Sequence, residues 1–188
     1  MPKKKYRYQY YMTLEINAKL QPQHRHDIED IIMQALEKAE CGKTDGGGTL
    51  MDVNGEVRLC DIELMLKDDS QETIDEVVKI IEDAKVPKGS FLKGEGAQIP
   101  IGTLEGLGLY LNGTDLPEET YKNSDVNHVL DKCKELIGED DLLVSWWQGP
   151  TETAIYFYGS SFAKMQEKIV GFLAEYALCQ KCRLVQIA

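Results

Sequence analysis

The chain contains a few small groups of residues whose types could bind a metal or react as thiols. Cys179 and Cys182 form a CxxC motif, a spacing found in redox-active and metal-binding sites. The motif closes a predicted helix, whereas a thiol pKa is lowered at a helix N-terminus. No second CxxC completes a four-ligand zinc site, and Cys41 could join the pair only if the fold of the two repeats brings it there. We therefore expect packing cysteines, with Cys179 and Cys182 only weak metal candidates.

Histidines and carboxylates give no stronger indication of a metal or catalytic site. His24 and His26 are two residues apart at a predicted helix start, and residues at that spacing do not share a helix face. His128 stands alone in a later helix. Asp61 and Glu63 share one strand face and would need another carboxylate to hold a hard cation. We expect solvated side chains at these positions, no catalytic residues and no cofactor.

A Gly-Lys-Thr sequence at residues 42–44, with three glycines at 46–48, invites comparison with a phosphate-binding loop. That loop needs a glycine five positions before its Gly-Lys, where this chain has Glu37. It also follows a strand, whereas this segment follows a predicted helix and meets the wrong end of the helix dipole. The pattern predicts a helix end and a mobile loop.

The most unusual stretch contains both tryptophans, Trp146 and Trp147, at one end of a predicted hairpin. Adjacent strand residues face opposite sides of a sheet, so at most one indole packs beneath the helices. The other indole is either an exposed binding anchor or packs on the other repeat's sheet. Glu152, Tyr156 and Tyr158 lie on the partner strand and are candidates for the rim of the same binding surface.

Hydrophobic periodicity places these residues on strands and helices that occur in a repeated order. Alternation over residues 8–18 and 104–112 predicts a first strand in each half of the chain. Asn54-Gly55 separates two extended runs and predicts a hairpin. Apolar stripes with the helical period predict four helices, at residues 23–40, 70–85, 123–138 and 161–178.

The repeated order predicts an α+β fold of two tandem ferredoxin-like β-α-β-β-α-β units. Each unit would have a four-stranded antiparallel sheet with both helices on one face. We expect units at residues 1–93 and 102–188, with 94–101 as a linker or the two units fused in one globular domain. The predicted core residues are Leu14, Ile16, Ile28, Ile32, Ile62, Leu64, Val78, Leu109, Val129, Phe157 and Ile169.

Composition excludes several classes of protein. The 188 residues include 21 Lys+Arg and 32 Asp+Glu, for a net charge of −11, which disfavours a phosphate-backbone partner and hence nucleic acid. No apolar run reaches the roughly 20 residues of a membrane helix. The basic residues 1–7 are not followed by an apolar signal-peptide region, and an odd five cysteines argue against a disulfide framework. We therefore expect a cytoplasmic protein without membrane contact.

The acidity is greatest in the second half. Residues 1–94 carry 14 basic and 18 acidic side chains (14 − 18 = −4), and residues 95–188 carry 7 and 14 (7 − 14 = −7). A negative surface attracts a basic protein. The sequence therefore predicts a non-enzymatic binding protein with a basic protein partner. The predicted binding residues are Trp146, Trp147, Glu152, Tyr156, Tyr158, Glu139, Asp140 and Asp141.

In size, charge and lack of a catalytic motif, the chain resembles the cytoplasmic immunity or inhibitor proteins paired with bacterial toxins. This is a resemblance of class, without matching residues, and it implies a protein that masks a basic partner. The alternative is a small-molecule sensor or regulatory domain with its ligand between the two repeats, near the Gly-rich loop. A third hypothesis, an enzyme using Asp61, Glu63 or Glu152, lacks convergent residues. The sequence makes no prediction of oligomeric state.

Overall fold

The computed structural model describes residues 8–140 and 142–188, which form two compact units. The first unit contains the described residues up to Leu50 together with Arg58–Thr103. The second contains Met51–Val57 and Leu104–Ala188. Residues 1–7 and Asp141 lie outside the described residues.

The first unit is built on a five-stranded antiparallel sheet in the order β2-β3-β1-β4-β5, with two helices between its strands. The first four strands have the order of a ferredoxin-like sheet. Its elements are β1 (Tyr10–Ile16), α1 (Pro22–Lys38), β2 (Gly42–Met51), β3 (Val57–Leu66), α2 (Gln71–Asp83), β4 (Ser90–Gly94) and β5 (Ala97–Ile101).

The second unit repeats this topology in a four-stranded antiparallel sheet of order β7-β8-β6-β9. The predicted tandem ferredoxin-like fold, with helices on one face of each sheet, is therefore confirmed. Its elements are β6 (Glu105–Asn112), α3 (Glu118–Asn123), α4 (Val126–Ile137), β7 (Leu143–Gln148), β8 (Glu152–Gly159), α5 (Phe162–Glu175), a 3-10 turn (Ala177–Cys179) and β9 (Arg183–Gln186).

Local capping explains where three of the main helices begin. The side chains of Ser70, Asp125 and Ser161 each accept a backbone N–H from the first turn of the helix that follows. The helix α4 ends at Gly138, whose φ of 60° is the left-handed conformation that glycine tolerates best. No helix in the described residues is both long and apolar enough to cross a membrane.

The core of the second unit lies between the sheet and helices α4 and α5. Alternate residues of β6 and β8 point to this side, and they meet one stripe from each helix. The fully buried members include Leu107, Leu109, Phe157, Val129, Cys133, Met165 and Ile169. Ten of the predicted core residues are buried, and Val78 is only half-buried because the helix α2 turns Val77 and Ile81 inward instead.

Two segments predicted to be loops are strands. Residues 46–48 belong to β2 rather than to a mobile loop, and the Gly48 N–H donates to the Asp61 Oδ1 at 2.7 Å. The predicted linker at 94–101 contributes β5, which pairs with β4. Both corrections have the same reason: pairing with a neighbouring strand satisfies backbone groups in segments whose own residues favour turns.

Candidate ligand-binding site

The two tryptophans lie on opposite faces of β7. Trp147 pairs with Ala154 of β8, is only 7% exposed, and donates its indole Nε1–H to the Asn54 carbonyl oxygen at 3.2 Å. Trp146 pairs with Ile155 on the helix side of the sheet and is 47% exposed. Trp146 is therefore the aromatic side chain of this pair that a ligand can reach.

Trp146 forms one wall of a cleft between the edge strand β7 and the start of α4. The cleft has a volume of about 280 Å³. Most of its surface is apolar, and its polar lining residues are two carboxamides and one hydroxyl residue. Its lining residues are Val126, Asn127, Leu130, Trp146, Gln148, Thr153 and Ile155, none of which is charged.

The local sequence explains how α4 comes to border this cleft. Asp125 caps the helix by accepting the Asn127 N–H at 2.8 Å, which sets the first turn beside the hairpin of β7 and β8. Val126 is left 37% exposed in that turn. In the described part of the chain, the side chains of Asn127, Gln148 and Thr153 make no intramolecular hydrogen bond. Their polar groups are available to a ligand.

A second cleft of about 270 Å³ continues from the first and shares Val126, Gln148 and Thr153 with it. Its lining is more polar and includes the loop between β7 and β8. The additional lining residues are Leu111, Asn112, Gly113, Tyr121, Gly149, Pro150, Thr151, Glu152 and Leu178. The two clefts together provide an apolar end beside an indole and a polar end beside hydroxyl and amide groups.

The opposite face of the second unit's sheet carries a buried polar network centred on Glu56. Its Oε1 accepts hydrogen bonds from the hydroxyls of Tyr110 and Tyr156, each at 2.7 Å. Burial raises the pKa of both tyrosines, and the neighbouring Glu56 carboxylate raises each pKa further. Both hydroxyls therefore stay protonated as donors at neutral pH.

Arg183 of β9 packs against this network. Its guanidinium lies 3.9 Å from the centroid of the Tyr110 ring and donates two hydrogen bonds to Glu152, at 2.9 and 2.8 Å. The hydrogen bond to Glu152 raises the pKa of Arg183. Glu152 is thus engaged within the unit.

The other predicted binding residues do not form one exposed surface. Tyr156 and Tyr158 are 0% exposed and do not form a surface rim, because the face of β8 that carries them is covered. Glu139 accepts both the N–H and the hydroxyl of Ser160, at 2.8 and 2.9 Å, and so orders the start of α5. Asp140 is exposed. Asp141, the remaining member of the predicted set, lies outside the described residues.

The cysteines and candidate metal ligands do not form a metal site in the described residues, where no group of three or more His, Cys, Asp or Glu side chains has metal-binding geometry. Cys133 and Cys179 are buried and Cys182 is half-buried. Burial raises the pKa of Cys179 to about 12 and that of Cys133 to about 12. The Cys182 pKa is raised for the same reason.

Sequence reasoning identified Trp146 but missed the polar side chains around it. Asn127 and Gln148 lie 21 positions apart along the chain (148 − 127 = 21) and share a cleft only because α4 packs beside the edge strand. Neither residue stands in a recognisable motif. The only sequence signal pointing to Asn127 was its position two residues after Asp125, a residue type that favours helix N-caps.

No family model matches the chain, and no curated protein is similar to it. A solved structure described as the first two RRM domains of yeast poly(U) binding protein (Pub1) aligns with it at 11% identity. The alignment has a TM-score of 0.28 and covers 94% of this chain and 99% of that chain.

This comparison corrects two predictions. The expectations of an immunity-like protein masking a basic partner and of no nucleic-acid partner are not supported by it, since the aligned structure is described as part of a poly(U) binding protein. Trp147, Tyr156 and Tyr158, three of the eight residues predicted to form the binding surface, are also buried. A TM-score of 0.28 assigns no ligand, and the function below is argued from the residues of this chain.

Proposed function

We propose that the chain is a non-enzymatic binding module whose second unit takes up a neutral planar heteroaromatic ring, of the nucleobase type, in the Trp146 cleft. The observation that carries this proposal is the half-exposed Trp146 indole in a cleft that also presents carboxamide groups.

The apolar part of the cleft suits an aromatic ring. An exposed indole offers a stacking surface, and stacking of a base on an aromatic side chain contributes about 1–3 kcal/mol. Val126, Leu130 and Ile155 supply apolar contacts beside it. A ring that stacks on Trp146 would remove this surface and part of the exposed Val126 from water.

The polar groups of the cleft suit the edge of a heteroaromatic ring. The carboxamides of Asn127 and Gln148 each offer a donor and an acceptor, and the Thr153 hydroxyl offers both. Such groups recognise the hydrogen-bonding edges of unstacked bases. An aliphatic or purely hydrocarbon ligand would leave these groups without partners on binding, which costs free energy.

The absence of charge in the cleft indicates whether the ring or the phosphate backbone of a ligand would supply the affinity. No residue lining the Trp146 cleft carries a charge, and the whole chain has a net charge of −11. Binding that depends on phosphate contacts weakens steeply with salt because counterions are released. We therefore expect the ring, rather than a phosphate backbone, to supply the affinity, and we expect that affinity to change little with ionic strength.

The test is a titration of the ¹⁵N-labelled full chain with adenosine, guanosine, cytidine and uridine, followed through the two indole N–H signals and the amide signals. We expect shifts centred on Trp146, Asn127 and Gln148, with a dissociation constant on the order of 100 µM for the best ligand. The Trp147 indole signal, which reports the opposite face, should move little.

Matched variants separate stacking from a general effect. Trp146→Ala should weaken binding about tenfold or more, and Trp146→Phe should retain most of it, because the phenyl ring still stacks. Tyr11→Ala, which removes a 58% exposed aromatic side chain from the first unit, should leave binding unchanged. Absence of shifts for all four nucleosides at millimolar concentration, or shifts centred on another surface, would overturn the proposal.

A further inference from the structure

The CxxC motif closes a tight turn that links the end of the 3-10 segment to β9. The Cys182 N–H donates to the Cys179 carbonyl oxygen at 3.1 Å. Between them, Gln180 has φ −62° and ψ 138°, and Lys181 has a φ of 59°. These angles are those of a type II β-turn, whose first and last Cα atoms lie within 7 Å. A disulfide requires a Cα separation of about 4.4–6.8 Å.

The two thiols of this turn also point toward the same region. Cys179 is a member of the second unit's apolar core, and Cys182 packs against that same core. Side chains that leave the two ends of one turn and meet the same core lie on the same side of it. The turn therefore brings both conditions for a local disulfide together, a short Cα separation and convergent side chains.

We propose that Cys179 and Cys182 are a reversible dithiol–disulfide site, oxidised by a low-molecular-weight disulfide. The Cys182 thiolate attacks one sulfur of that disulfide, whose S–S bond breaks and releases one thiolate. The Cys179 thiolate then attacks the Cys182 sulfur and displaces the second small thiolate. The protein loses two electrons and two protons, and the small disulfide is reduced to two thiols.

Accessibility sets the order of these steps. Cys182 is half-buried and can meet an oxidant, whereas Cys179 is 3% exposed and can react only with a sulfur already within the turn. The third thiol nearby, Cys133 of α4, is 0% exposed. Since only the thiolate attacks and burial raises the pKa of Cys182, the reaction should be slow at neutral pH and accelerate about tenfold per pH unit in the alkaline range below that pKa.

Oxidised glutathione tests the proposal on the full chain, with intact mass and peptide mapping as readouts. The wild-type chain should lose the mass of two hydrogens, recover it with dithiothreitol, and contain a Cys179–Cys182 cross-link. Cys179→Ser should stop at a single glutathionyl adduct on Cys182, because no second thiol resolves it. Cys182→Ser should not react under the same conditions.

Two further variants serve as controls. Cys133→Ser should still form the cross-link, and Cys60→Ser, which changes a buried thiol of the first unit, should behave like wild type. A stable glutathionyl adduct on wild-type Cys182, a Cys133–Cys182 cross-link, or no reaction at alkaline pH in folded protein would each overturn the proposal. Circular dichroism of every variant confirms that the comparison is made on folded chains.

Discussion

At the scale of single residues, the Glu56 carboxylate is the centre of a buried hydrogen-bond network in the second unit. It is the acceptor for the hydroxyls of both Tyr110 and Tyr156, and Tyr156 is completely buried. A buried donor that loses its acceptor costs about 1–3 kcal/mol because it gave up water on folding. The tyrosine rings pack edge to face with their centroids 6.0 Å apart, so neither hydroxyl is free to reorient far.

This geometry predicts that Glu56→Ala lowers the free energy of unfolding by roughly 2 kcal/mol or more. Urea denaturation followed by circular dichroism measures the change. Removing the hydroxyls as well should recover part of the loss, since apolar groups of the same shape need no acceptor. The triple variant Glu56→Ala/Tyr110→Phe/Tyr156→Phe is therefore expected to be more stable than Glu56→Ala alone. A triple variant less stable than the single one would contradict this account.

The same scale governs the Trp146 cleft. If the proposed function holds, the affinity of this cleft for a ring depends on one exposed indole and a few amide and hydroxyl groups, rather than on the net charge of −11. Two of the acidic residues first expected to form a binding surface have partners within the unit: Glu139 orders the start of α5, and Glu152 binds Arg183. Side-chain partners, rather than residue type, decide which groups are available to a ligand.

At the scale of elements, the glycines of β2 show why a strand can form from residues that favour turns. A Cβ on Gly47 would lie 2.2 Å from the Asp61 carbonyl oxygen and 2.7 Å from the Arg25 Nη1. The neighbouring backbone is fixed by the sheet, and Arg25 is 5% exposed and bound to Glu29 at 2.7 Å. The strand β2 therefore approaches its neighbours closely only because residue 47 has no side chain.

We expect Gly47→Ala to destabilise the chain by about 1–3 kcal/mol, since the clash is with backbone rather than with a flexible side chain. Gly171→Ala is the matched control. Gly171 lies in α5 with nothing within 4 Å of its would-be Cβ, so alanine should stabilise the helix by about 0.8–1.0 kcal/mol. Thermal unfolding of the two variants should shift in opposite directions. Equal shifts would show that the close approach at Gly47 is unimportant.

At the scale of the whole molecule, the net charge of −11 opposes the compact state. Raising ionic strength from about 0.01 M to about 0.15 M shortens the Debye length from about 30 Å to about 8 Å and screens this repulsion. We expect the unfolding temperature to rise by about 2–4 °C for each 1 kcal/mol of repulsion removed. Differential scanning calorimetry across a sodium chloride series measures it. A fall in unfolding temperature would mean that exposed ion pairs, such as Lys122 with Glu118, dominate instead.

The order of strands and helices was predictable from the sequence because it depends on local periodicity. Alternation in β1 and β6 and the stripes of α1, α2, α4 and α5 each lie within one continuous segment. Since the same order occurs twice, two ferredoxin-like units followed from it. Most core residues were predictable for the same reason, as a residue's place in a stripe determines which side of its element it occupies.

Only the tertiary structure decided which of those residues are available to a ligand. Alternation put Trp146 and Trp147 on opposite faces, but the exposure of one and burial of the other depend on what covers each face. Trp147 bonds to Asn54 at a separation of 93 residues, and Tyr156 bonds to Glu56 at a separation of 100. The strand character of Gly46–Gly48 likewise came from pairing. Contacts between residues distant in the chain leave no local periodic signal, because either partner alone could equally face solvent.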